Sequence, residues 1–239
     1  MVEFRGVSFR IGQKQILSDL SFHVAEGETV VLLGRSGSGK TTALRMVNAL
    51  AKPDSGEVLV AGKSTAAWDP VRLKRSIGYV IQDAGLFPHF TVAQNIGLVP
   101  RLEGWTPETI EKRVNELLGL LDMDPREFRD RFPRQLSGGQ RQRVGVARAL
   151  AADPPVLLLD EPFGALDPVT RREVQGQFHD LAGRLGKTAL LVTHDVHEAM
   201  LLGTRIGLMR EGKLEIVAPP EEFRHSTGEE ARAFLACLQ

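Results

Sequence analysis

One stretch constrains this chain more than any other. Glu28-Thr29-Val30-Val31-Leu32-Leu33 runs without a break into Gly34-Arg35-Ser36-Gly37-Ser38-Gly39-Lys40-Thr41-Thr42, and then into the helical pattern Ala43 to Leu50. A short continuous apolar run is the pattern of a strand buried on both faces, which belongs in a parallel sheet. Gly34 to Thr41 fits G-x-x-x-x-G-K-[ST] in the strand–loop–helix setting that gives this motif its meaning. Its glycines permit backbone angles that turn several N–H groups into one concavity, a nest for phosphate oxygens. The following helix adds the positive end of its dipole. Gly34, Arg35, Ser36, Gly37, Ser38, Gly39, Lys40, Thr41 and Thr42 are therefore expected to bind a nucleoside triphosphate. Lys40 is expected to reach the β- and γ-phosphates, and Thr41 to place its hydroxyl on Mg²⁺.

A second apolar strand, Val156-Leu157-Leu158-Leu159, ends in Asp160-Glu161. A strand buried on both faces carries no charge until it leaves the sheet, so both carboxylates belong at its carboxyl end, where ligands bind in open α/β sheets. Asp160 is placed to hold Mg²⁺ through water, because that ion keeps part of its hydration shell. Glu161 is placed to polarise the water that attacks the γ-phosphate, assistance that is typically worth about 10²–10⁴-fold.

Around these two strands the chain alternates β and α. Val2 to Phe9 and Ile16 to Val24 read as a hairpin, followed by strands at Gly56 to Val60 and Ile77 to Ile81 and a helix near Pro70 to Arg75. From 83 to 152 strand-like runs vanish, and helical periodicity appears at Thr106 to Leu121 and Gly139 to Leu150. After 153 the alternation resumes, through a helix at Pro168 to Arg184, a strand at Thr188 to Val192 and a helix at Val196 to Leu202. Strands at Arg205 to Met209 and Lys213 to Val217 flank the turn Glu211-Gly212. A tail helix is expected near Glu229 to Leu238, packing Phe234 and Leu238 on the core. The expected architecture is an α/β P-loop NTPase (RecA-like) core with an N-terminal antiparallel β subdomain, 1–82 and 153–239, into which a helical subdomain, 83–152, is inserted.

Composition narrows the partners. Thirty Lys and Arg balance 30 Asp and Glu over 239 residues, which disfavours disorder and a globally basic nucleic-acid binder. The single Cys237 excludes an internal disulfide framework and a Cys-rich zinc site. No apolar run reaches the length of a membrane span, and Met1-Val2-Glu3-Phe4-Arg5 has no signal-peptide pattern. A cytoplasmic protein is expected, one that works at a membrane only by binding a chain that spans it. Charge is uneven, however. Seven arginines (126, 129, 131, 134, 141, 143, 148) face only Glu127 and Asp130 between 126 and 148, a local balance of +5. That stretch is either a solvated helical face or a surface that meets phosphate or acidic groups.

Within it lies Leu136-Ser137-Gly138-Gly139-Gln140, with Ser137 97 residues beyond Lys40. Alone it is a helix N-cap preceded by a flexible loop; it is also a second anion site, with a hydroxyl, N–H groups and a helix N-terminus. With this motif the sequence resembles the ATP-binding cassette (ABC) ATPases along essentially its whole length. The resemblance implies further roles. Gln82 matches the glutamine that joins the subdomains and approaches Mg²⁺. Gly164-Ala165-Leu166-Asp167 matches the loop whose Asp167 lies near nucleotide, and His194 matches the histidine that contacts the γ-phosphate. It implies ATP and Mg²⁺ as ligands and a head-to-tail dimer. Each ATP is then held by the Gly34 loop of one copy and by Ser137, Gly138, Gly139 and Gln140 of the other, and hydrolysis lets the halves part. His23, His89 and His197 are read as structural.

The sequence departs from the family's pattern at the adenine position, where an aromatic residue usually precedes the first hairpin. Ile11 stands there, with Phe9 two residues earlier on the same strand face as a substitute, and weaker adenine selectivity is expected. One loop and one signature in one chain, without sustained heptads or membrane helices, is similar to the separate cassettes of bacterial importers. Finer features resemble the quaternary-amine (glycine betaine, choline, carnitine) branch. They are Ser76 to Gln82, Gly85 to Val92, Asn95-Ile96, Val99-Pro100 to Gly104-Trp105, and Arg143 to Leu150. The resemblance implies an ATPase coupled to transmembrane transport, peripheral on the inner face of the plasma membrane. Its partners would be permease subunits seated on the Gln82 to Val92 loop and, indirectly, a solute-binding protein, with no nucleic acid. Many members of that branch carry C-terminal CBS modules, which the residues up to Gln239 do not contain. Another importer class and a non-transport ABC switch are the alternatives.

Overall fold

The computed structural model describes residues 1–82, 84–164 and 166–238. In chain order its elements are β1 (Val2–Ile11), β2 (Lys14–Val24), β3 (Thr29–Leu33), α1 (Lys40–Val47), β4 (Ser55–Val60), β5 (Lys63–Ser64), α2 (Pro70–Arg75) and β6 (Ile77–Val80). Then come α3 (Val92–Ile96), α4 (Leu98–Leu102), α5 (Pro107–Leu120), α6 (Pro125–Phe128), α7 (Gly138–Leu150), β7 (Val156–Asp160) and α8 (Pro168–Leu185). The last are β8 (Thr188–Thr193), α9 (Val196–Leu202), β9 (Arg205–Arg210), β10 (Lys213–Ala218), α10 (Pro220–Arg224) and α11 (Glu229–Leu235).

These elements divide into two compact units, residues 1–74 with 186–239, and residues 75–185. The second unit starts earlier and ends later than the expected helical stretch 83–152. It includes the parallel pair β6–β7, which runs from Ile77↔Val156 to Val80↔Leu159, and also α8. The expected boundary at Asp83 and the motif residue Ala165 lie outside the described residues.

The first unit holds an antiparallel ribbon in which β1 lies between β2 and β4. Burial alternates over Val2 and Phe4 and over Leu20, Phe22 and Val24, and the register shifts beyond Phe4 bring Val7 inward. Phe4 and Phe22, opposite each other, stack with ring centroids 4.5 Å apart. In the same unit β3 lies between β8 and β9, parallel to both, and β10 closes antiparallel on β9. All five residues of β3 and all six of β8 are buried, as continuous apolar runs require. α1 covers positions 40–47 rather than 43–50. Ala49 takes a left-handed φ of 54°, and the Leu50 N–H turns back to Arg45 O, which closes the helix one turn early.

The second unit packs α3 to α7 around Val114, Leu117, Leu118, Val144 and Ala147, all buried. The +5 stretch is largely committed inside this unit. Arg129 pairs with Glu111 at 2.7 Å, Arg131 with Glu127 at 2.7 Å, and Arg143 reaches Leu121 O and Glu173. Counting charge along the sequence missed Glu111 and Glu173, which the fold brings in from outside the stretch. The tail departs from expectation too: α11 stops at Leu235 and a 3₁₀ turn follows. The buried positions are Glu230 and Ala231, with Phe234 and Leu238 only half-buried.

Candidate functional site

In the first unit, β3 delivers the chain into the loop 34–39 and α1 takes it away. Gly39 occupies the N-cap of α1 at φ 101°, a left-handed angle. An added Cβ there would lie 2.7 Å from the Leu17 side chain and 2.8 Å from Ile16 O, so only glycine fits. A glycine cap brings no side chain to the first helical N–H groups, which an α-helix leaves without internal partners. Lys40 is 5% exposed, and its Nζ donates to Gly34 O at 2.7 Å, Arg35 O at 2.9 Å and Ser38 Oγ at 3.4 Å. A buried ammonium needs such acceptors. Here they are neutral, and an anion competes with them on favourable terms.

Two further elements of this unit meet the loop. The 211–212 hairpin bridges β2 to it: Ser18 N–H donates to Gly212 O at 2.9 Å, and Gly212 N–H to Ser38 O at 3.1 Å. α11 reaches it through Glu230, which accepts from Arg35 Nε at 2.7 Å beside a cavity of about 440 Å³. With Arg35 largely exposed, that pair is worth little to stability.

His194 follows β8 directly and is exposed. Leu33 and Thr193 are register partners, so the loop and His194 emerge from neighbouring strands at the same edge of the sheet. Thr193 Oγ1 donates to the buried Glu198 at 2.6 Å and accepts the Asp195 N–H at 3.0 Å, which fixes the backbone on both sides of His194. Thr41 and Thr42 are half-buried on the first turn of α1, Phe9 is half-buried, and Ile11 is 63% exposed at the end of β1.

The second unit assembles the carboxylates. Asp160 is the last residue of β7, still within the strand and 7% exposed, and accepts a hydrogen bond from Tyr79 Oη at 3.3 Å. Glu161 follows with a left-handed φ of 46°, a conformation that costs a non-glycine residue roughly 1–3 kcal/mol and clusters at functional sites. Gln82 Nε2 donates to Glu161 Oε2 at 3.4 Å, a long bond. The parallel pair β6–β7 places both residues just past its last register partners, Val80 and Leu159. The Tyr79 contact was not anticipated.

In the same unit Ser137 caps α7 in a closed reciprocal box. Its Oγ accepts the Gln140 N–H at 3.2 Å, and Gln140 Oε1 accepts the Ser137 N–H at 2.9 Å. Gly138 opens the helix, and Gly139 packs so tightly that a Cβ would lie 2.4 Å from Thr170 Cγ2. Asp167 Oδ1 accepts the N–H of Val169 at 3.2 Å and of Thr170 at 3.1 Å, capping α8. Hydrogen bonding, foremost from the Thr170 hydroxyl, holds the Asp167 carboxyl below its usual range. Among the described residues no group of three or more His, Cys, Asp or Glu is arranged to hold a metal ion. Thr41 in the first unit, and separately Gln82 and Asp160 in the second, carry oxygen donors, a chemistry suited to Mg²⁺ and poorly suited to soft metals.

The ABC transporter family pattern matches residues 17–164. The osmoprotectant import ATP-binding protein OsmV of Salmonella typhimurium is 50% identical over 207 residues, which cover 87% of this chain and 54% of that protein. The glycine betaine/carnitine/choline transport ATP-binding protein OpuCA of Bacillus subtilis is 48% identical over 219 residues, 92% of this chain and 57% of that protein. The chain thus spans a little over half the length of these two curated relatives. Among solved structures, the ATP-binding cassette MJ0796, a dimer in a post-hydrolysis state bound to ADP and Pi, superposes with a TM-score of 0.81 at 35% identity. The match covers 92% of this chain and 99% of that one.

Proposed function

The chain belongs to the ABC transporter family, and from that premise we propose that it is the ATP-hydrolysing subunit of an importer for quaternary-amine osmoprotectants such as glycine betaine or choline. The observation that carries the chemistry is the buried Lys40 ammonium, which donates to Gly34 O and Arg35 O inside a glycine-capped loop. The substrate class rests on the names of relatives about half identical to it across nine-tenths of its length.

In this reading each unit brings part of one reaction. The loop residues Gly34, Arg35, Ser36, Gly37, Ser38 and Gly39 bind the triphosphate with their backbone. Lys40 exchanges carbonyl partners for phosphate oxygens, and Thr41 and Thr42 add hydroxyls. Thr41, Gln82 and Asp160 hold Mg²⁺, which when bound offsets charge on the β- and γ-phosphates. Tyr79 keeps one Asp160 oxygen occupied. Glu161 accepts the proton of the attacking water, with its carboxylate aimed by the strained backbone and by Gln82. His194 donates to the γ-phosphate. Ser137, Gly138, Gly139 and Gln140 of a second copy close over the same nucleotide, with Asp167 beside them. Phe9 and Ile11 contact adenine. Permease subunits, and a solute-binding protein beyond them, complete the transporter, which keeps this chain on the cytoplasmic face of the membrane. No helix among the described residues is long and apolar enough to cross one.

Glu161→Gln tests the chemistry. It keeps ATP binding and lowers phosphate release by at least about 10²-fold, and near-normal turnover removes Glu161 from the role. Isolation of the native complex tests the physiology: a membrane permease supports transport, whereas nucleic acid or a soluble partner favours an ABC switch of another kind.

A further inference from the structure

The loop that follows β6 is held by the helix that the signature turn begins. Ala84 and Gly85 both take left-handed angles, φ 55° and 52°. Arg148, two residues before the end of α7, meets both of their carbonyls. Its Nη1 donates to Gly85 O at 2.7 Å and its Nη2 to Ala84 O at 2.7 Å. One turn earlier on the same helix face, Gly145 lets the loop rest on the helix backbone: an added Cβ would lie 3.1 Å from Ala84 Cβ and 3.3 Å from Ala84 Cα. Desolvation lowers the Arg148 pKa from its ordinary value, yet a guanidinium stays charged throughout the working range.

The other end of the loop is fastened as well. Asn95 on α3 is fully buried, and its Oδ1 accepts the Phe87 N–H at 2.8 Å. Its Nδ2 donates to Phe87 O, Phe90 O and Thr91 O at 3.0–3.2 Å. Segment 84–91 is therefore stapled to α3 by Asn95 and to α7 by Arg148. Between the staples Phe87, His89 and Phe90 form an aromatic cluster in which Phe87 is 41% exposed. From Arg148 back to Gly138 the helix runs about 15 Å as a rigid rod.

We propose that Arg148 is the positioning residue that couples the loop 84–91 to the signature turn Ser137–Gln140, so that a load on the aromatic tip reorients the start of α7. The proposal rests on the transport reading, in which that tip meets the permease. The coupling is mechanical: the two-carbonyl grip of the guanidinium makes loop and helix one body, whereas a lysine offers a point charge without the fork.

The test compares wild type with Arg148→Lys, each alone and assembled with the permease. ATP turnover, melting temperature and hydrogen exchange at 84–91 and 137–141 are measured. The expected result is that Arg148→Lys keeps the turnover of the isolated chain and its melting temperature. Stimulation by the permease falls at least about fivefold, and exchange rises at 84–91 and changes at 137–141 in step. Stimulation equal to wild type overturns the proposal. So does a proportional fall in isolated and stimulated rates at unchanged melting temperature, which marks a merely structural role. If the permease does not stimulate wild type, the transport reading fails. The exchange data then decide the clamp: faster exchange at 84–91 with none at 137–141 overturns it, and linked change supports it. Should Arg148→Lys fail to fold, Gly145→Ala carries the same comparison by pressing the loop off the helix without removing a hydrogen bond.

Discussion

Two glycine-rich turns of this chain open a helix, and they solve the same problem in opposite ways. The turn before α1 uses Gly39 as its cap, which brings no side chain to the first N–H groups, and buries an ammonium beside them. The turn before α7 closes on itself, with Ser137 and Gln140 capping each other. A glycine cap brings no side chain of its own to the helix start, and an anion suits that place. A closed cap is finished alone and has little to gain from a lone phosphate. The difference teaches why, in the function proposed above, the first is expected to hold nucleotide by itself and the second to contribute only when another copy presents a bound nucleotide.

The comparison breaks most visibly at Lys40. Lys40→Ala is expected to weaken ATP binding by at least about 30-fold, the loss of a desolvated charge partner, measured by calorimetry on the isolated chain. Binding within threefold of wild type would mean that the loop's N–H groups suffice and that the stored charge is incidental. Ser137→Ala gives the smaller, contrasting effect. The monomer's affinity for ATP stays within about twofold, while unfolding shows a loss of about 1 kcal/mol for a missing N-cap. An equal loss of monomer affinity would erase the distinction between the two turns. The smallest effect is one of pH, at the cap of the neighbouring helix. The folded Asp167 pKa lies below its unfolded value of 3.8, so the carboxylate's contribution is complete above that value. It is lost as pH falls through the lower folded pKa. Denaturation curves of Asp167→Asn and wild type are therefore expected to differ at pH 6 and to converge at the acid end. A constant offset down to the lowest pH assigns the effect to something other than ionisation.

Much of the site was legible because its elements obey strong local rules. The buried strands β3 and β8 announced themselves as unbroken apolar runs, and α2 and α9 fell at their expected bounds, Pro70–Arg75 and Val196–Leu202. Short helices were not legible. α3, α4, α6 and α10 have only four or five residues each, too few for periodicity to show. For α3 a cap signal was present nonetheless: Thr91 and Gln94 form a full capping box. Within the site, Asp160 stands at the carboxyl end of its strand as expected, but its burial and its hydrogen bond from Tyr79 were not legible. A hydrogen bond between residues 81 positions apart leaves no local trace, and the same holds for Arg148 on Ala84 and Gly85.

The hairpin at Glu211-Gly212 has a consequence in time as well as in space. It braces Ser38 and Ser18 with backbone hydrogen bonds, yet it lies 174 residues downstream of Ser38. On a ribosome adding roughly 5–20 residues per second, the phosphate loop therefore waits on the order of ten seconds or more for its own support to be made. Nascent chains would acquire the braced loop only after the hairpin at 211–212 has been made, long after the loop itself.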